Sequence, residues 1–166
     1  LYMDVNYDRR TDSYDLPAGR SSKTYTFTMP LGGRLLAVGG HAHDYAEFVS
    51  LEEVASGKTI IMLKADTDSA GTLLKMPRKY YGVRGDGLKL TAGRQYRIRA
   101  DYNNRTGKMI PNGAMGLLAG AFAPDDYAKW PVLDPNDPDI QADIAMLEKI
   151  GKPSGGEMDH EHMDHN

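Results

Sequence analysis

Tyr96-Arg97-Ile98-Arg99-Ala100-Asp101-Tyr102 decides how the rest of the chain reads. Apolar or aromatic residues at 96, 98, 100 and 102 alternate with charges at 97, 99 and 101. Successive side chains of a strand point to opposite faces, so this period of two describes a strand with one face in a core and the other in water. The same signal recurs upstream in Thr24–Met29, where Tyr25, Phe27 and Met29 oppose threonines before Pro30 ends the run. Shorter apolar runs, Arg34–Val38, Phe48–Leu51, Thr59–Leu63 and Leu88–Leu90, lie between turn signals such as Gly32-Gly33, Ser56-Gly57-Lys58 and Gly85-Asp86-Gly87. Downstream, Ala114–Phe122 is apolar throughout and reads as one central strand with Met115 inside it. Residues 1–22 are polar, with a turn at Leu16–Gly19, and Leu73–Val83, interrupted by Pro77, reads as irregular.

Short strands between Gly- and Pro-containing turns, with no helical period before about residue 125, predict an all-β fold: an antiparallel β-sandwich, jelly-roll-like. One helix is expected late. Asp137 can cap it, Pro138 suits its first position, and Ile140, Ile144, Leu147 and Ile150 form one stripe before Gly151 and Pro153. The expected organisation is a sandwich over 1–134, a helix over 135–152 packed on it, and a Gly linker with a short flexible tail over 153–166.

A chain of 166 residues with 40% hydrophobic and 26% charged residues suits one core-bearing domain. Its net charge of -3 argues against a nucleic-acid partner, and no run approaches the ~20 apolar residues of a membrane-spanning helix. Cysteine is absent, which excludes disulfides, thiolate metal sites and thiol nucleophiles together. Neither a Gly-x-Ser-x-Gly elbow nor a phosphate loop is present, so hydrolase and kinase readings lack a basis.

The five histidines fall in two places. Two stand in Gly39-Gly40-His41-Ala42-His43-Asp44-Tyr45, where the apolar run Arg34–Val38 ends. On a strand, His41 and His43 share a face with ~6.6 Å between their Cα atoms, close enough for two imidazoles to converge on one ion. Neutral imidazole suits copper, zinc, iron and nickel, so the pair alone reads either as ligands or as ordinary surface or core residues. A thioether third ligand would select copper. By spacing alone Met115 reads as core packing rather than as a ligand.

Gly39–Tyr45, then Asp101-Tyr102-Asn103-Asn104, then Gly113-Ala114-Met115-Gly116 together resemble the copper type II ascorbate-dependent monooxygenases, specifically the oxygen-activating second domain of the peptidylglycine α-hydroxylating type. The resemblance spans roughly residues 15–134. It implies a nine-stranded sandwich, copper as cofactor, and metal ligation by His41, His43 and Met115. The family's preceding domain carries a second, all-histidine copper site that supplies an electron. No histidine precedes His41 here, so an electron would have to come from an external donor or from copper on the C-terminal tail.

The other histidines crowd the end, in Glu157-Met158-Asp159-His160-Glu161-His162-Met163-Asp164-His165-Asn166. His160, His162 and His165 with Met163 form a candidate second copper site, or a solvated terminus. The expected functions are therefore three: an exported copper protein, periplasmic, cell-surface or secreted; a copper carrier using its tail; or a structural subunit of an oligomer or larger assembly.

Overall fold

The computed structural model describes residues 1–7, 11, 13–83, 85–132 and 134–150, which divide into two units, one over Leu1–Trp130 and a second beginning at Pro131. The first unit is an all-β antiparallel sandwich. One main sheet contains β1 (Tyr2–Asp4), β13 (Gly116–Pro124), β4 (Gly33–Ala42) and β10 (Leu88–Leu90), in that order, with β9 (Arg78–Tyr80) also on β4. The other has the order β3 (Gly19–Thr28), β11 (Gln95–Asn104), β5 (Ala46–Glu53), β6 (Lys58–Lys64). Two small ladders pair β2 (Tyr14–Leu16) with β12 (Ile110–Ala114), and β7 (Asp66–Thr67) with β8 (Leu73–Lys75).

The alternating stretch Tyr96–Tyr102 lies in β11, hydrogen-bonded on both sides, to β3 and β5. Tyr96, Ile98, Ala100 and Tyr102 enter one core with Leu35, Val38 and Leu118 from the facing sheet. The charged alternates remain outside and pair there. Arg97 meets Glu52, and Arg99 grips Asp101 through two bonds of 2.6 Å.

Three expectations need correction. The polar start contains β1 and β2, and the segment read as irregular contributes β8 and β9; strands of three residues are too short to show a period. The apolar run 114–122 is not one strand. It breaks at Met115 because its two halves have different partners, β12 pairing with β2 and β13 with β4. Met115 therefore occupies a junction rather than a strand interior.

A bulge in β4 then decides which way the site faces. Opposite it, Ala121 pairs with Ala37 but Phe122 pairs with Leu35, leaving Leu36 as the extra residue. Leu35 faces the core, and without the bulge its phase would carry 37, 39, 41 and 43 inward as well. The added residue flips the phase, so Val38 and Ala42 are buried and His41 and His43 face outward. Glycine at 120 permits this, since a Cβ there would lie 2.2 Å from the Ala37 carbonyl oxygen.

The second unit contains α1 (Pro138–Ile150). Asp137 begins it as expected: its carboxylate accepts the Asp139 N–H at 2.8 Å and its carbonyl accepts the Gln141 N–H at 3.0 Å. The Gly151 stop, the linker over 153–166 and the tail residues His160, His162, Met163 and His165 lie outside the described residues.

Candidate metal centre

His41 lies in the last turn of the β4 pleat and His43 just past the strand's end, on the outer face of their sheet. Their ring centroids are 5.5 Å apart and the ring planes nearly perpendicular, at 86°. His41 is exposed and His43 half-buried. Burial lowers the His43 pKa below the ordinary histidine value, and the neighbouring His41 adds to the effect. Hydrogen bonding to the Gly113 and Asn112 backbone and the Asp44 charge oppose it only in part. The lowered value keeps the imidazole neutral, the form that binds a metal.

The chain leaves His43 through a tight turn. The His43 carbonyl accepts from the Ala46 N–H at 3.3 Å, and Tyr45 between them takes a φ of 68°, unusual for a residue with a side chain. That conformation is held from three sides. The Tyr45 N–H donates to the Gly71 carbonyl at 2.7 Å, the Tyr45 carbonyl accepts from Asn103 at 2.9 Å, and Asp44 Oδ1 accepts the Leu73 N–H at 2.8 Å. A cavity lined by Ala42, His43, Asp44, Tyr45, Leu73, Ile110 and Gly113 opens beside the His43 ring. Asp44 and Tyr45 thus close the loop under the histidine.

Met115 reaches the same place from the other side. In the β4–β13 ladder Leu117 pairs with His41 and Gly116 with Ala42, so one further rung sets Met115 across from His43. That rung is not made directly. The hydroxyl of Tyr102, from the opposite sheet, takes its place. It accepts the His43 N–H at 3.0 Å and the Met115 N–H at 3.1 Å, and donates to the Met115 carbonyl. In the sequence Tyr102 shows only its inward alternation and its place in the Asp101–Asn104 stretch of the resemblance. Its hydroxyl contact crosses between sheets and leaves no local signal.

No group of three His, Cys, Asp or Glu among the described residues is arranged to hold a metal. What the fold does bring together is two imidazoles and the backbone of a methionine, whose thioether suits a soft ion.

No helix among the described residues is long and apolar enough to cross a membrane. No family model, curated protein or solved structure matches the chain.

Proposed function

We propose that the chain is an exported copper protein with one mononuclear site held by His41, His43 and Met115. One observation carries the reading: two imidazoles 5.5 Å apart on an outer sheet face, with the Met115 backbone fixed beside that of His43 through a single buried hydroxyl. The resemblance of Gly39–Tyr45, Asp101–Asn104 and Gly113–Gly116 to the ascorbate-dependent copper monooxygenases supports the same ligand set. Copper held by two imidazoles and a thioether supplies one-electron redox chemistry towards oxygen or peroxide. The chain's own part is to keep His43 neutral, to fix both histidines on one face by strand period and bulge, and to leave His41 open to a reaction partner.

The test is copper loading followed by elemental analysis and electron paramagnetic resonance. The expected result is one copper per chain with a type 2 signal, lost in the His41→Ala/His43→Ala protein while its far-ultraviolet circular dichroism stays β-rich. Full copper retention in that double variant would overturn the assignment.

A second reading, copper gathering and transfer, rests on the three histidines and two methionines in the last nine residues, 158–166. Removing residues 157–166 separates the two. A carrier loses stoichiometry and transfer rate, whereas the sandwich site keeps its one copper.

A further inference from the structure

We infer that Tyr102 is the positioning residue of this site, setting the methionine against the histidine through one hydroxyl group; the inference rests on the ligand set proposed above. A phenol hydroxyl has one proton to donate and two lone pairs to accept with. Tyr102 spends all three on two backbone segments: the His43 N–H, the Met115 N–H and the Met115 carbonyl. Those segments adjoin the ends of β4 and β13 in one sheet and Tyr102 lies in the other, so the ring acts as a strut across the core.

The strut itself is well held. Tyr102 is 1% exposed and lies in β11 between β3 and β5. A register shift there pairs Asp101 with Phe48 and Tyr102 with Ala46, so Glu47 is the extra residue and β5 bends at that point. Tyr14 packs edge-on against the ring, centroids 6.5 Å apart. The Met115 backbone has no strand of its own to fix it, since it falls between β12 and β13. Tyr102 supplies what a ladder would have supplied, and does so from the same oxygen that holds His43.

The fold provides its own control. Tyr96 lies in the same strand, is 2% exposed, and its hydroxyl accepts a backbone N–H, that of Thr91, at 3.0 Å. It does the same kind of structural work in the turn after β10 and touches neither candidate ligand. Loss of either hydroxyl strands a backbone donor and lowers stability. Only the loss at Tyr102 should alter the metal.

The experiment compares wild type, Tyr102→Phe, Tyr96→Phe and His43→Ala for Cu(I) affinity by chelator competition, for the Cu(II) paramagnetic resonance spectrum, and for metal-free thermal unfolding. Outer contacts that orient a ligand are worth about 10–100-fold in metal affinity. Tyr102→Phe should therefore weaken Cu(I) by that factor and change the Cu(II) spectrum, while Tyr96→Phe stays within about twofold of wild type with an unchanged spectrum. Equal binding and equal spectra in Tyr102→Phe would overturn the inference, as would an equal loss in Tyr96→Phe. If Tyr102→Phe does not fold, amide hydrogen exchange of the wild type decides. Cu(I) should slow exchange at both His43 and Met115, and copper binding without that slowing would overturn the inference. Failure of the parent reading looks different: His43→Ala would then bind copper as wild type does, or wild type would bind none, and either result sinks both.

Discussion

Gly116→Ala tests how closely the two sheets approach behind the site. Gly116 begins β13, next to Met115, and pairs with Ala42 between the two histidines. A Cβ placed there would lie 2.4 Å from the Ala100 Cβ and 3.0 Å from Val5 Cγ2. Carbon atoms in contact prefer ~3.5–4.0 Å, so the overlap with Ala100 exceeds 1 Å. Ala100 is 0% and Val5 1% exposed, and neither offers a long side chain that could swing aside. The cost belongs at the upper end of the overpacking range, about 3 kcal/mol, which lowers Tm by roughly 10 °C in a domain of this size. Ala100 is also two residues before Tyr102 on the same strand, so forcing the sheets apart here stretches the reach of the Tyr102 hydroxyl. Urea unfolding monitored by circular dichroism gives the stability. The decisive variant is Gly116→Ala/Ala100→Gly, which moves the methyl group from one sheet to the other. It should recover more than half of the loss, less the ~0.5–1 kcal/mol that a strand glycine costs. A single variant as stable as wild type, or strictly additive losses in the double one, would refute the packing argument.

Other expectations concern charge and the loop. The His43 imidazole should titrate below about 6.5 by NMR, because burial disfavours its charged form. The native state then binds fewer protons than the unfolded chain between that value and the lowered one, so metal-free stability should decline as pH falls through this window. Burial alone would raise the Asp101 pKa, but the Arg99 guanidinium bonds, the Ser22 hydroxyl and the Arg99 charge hold it below the usual carboxylate range. Arg99→Gln should therefore cost under ~1 kcal/mol at pH 7, and the difference should vanish as acid protonates the carboxylate; an undiminished difference at pH 2 would contradict the pairing. Asp44→Ala removes the acceptor of the Leu73 N–H at the loop surface. It should cost about 1 kcal/mol by urea unfolding and leave the far-ultraviolet spectrum unchanged.

Much of the sandwich was legible in the sequence because β11 is a long strand, paired on both sides with one face in the core. Such a strand must alternate, and Tyr96–Tyr102 does. Three-residue strands such as β1 and β9 carry too few side chains for any period, and their pairing depends on what the long strands leave open. The histidines' common face followed from the period of two alone. Which face it was did not, since that depends on Leu36 bulging, an event recorded only in the pairing of β4 with β13. Met115 was misplaced for a related reason. Residues 114–122 are uniformly apolar, and only their different partners reveal the break. The role of the Tyr102 hydroxyl was hidden altogether, because its partners are backbone groups brought to it by the fold.

X-ray absorption at the copper edge of the Cu(I)-loaded protein tests the central claim most directly, since it reports the donor atoms themselves. Wild type should show two imidazole nitrogens and one sulfur, with the sulfur lost in Met115→Ala and the imidazoles lost in His41→Ala/His43→Ala. With cysteine absent, any sulfur donor must be a methionine. A wild-type spectrum without sulfur, or one unchanged by Met115→Ala, would contradict the site described above.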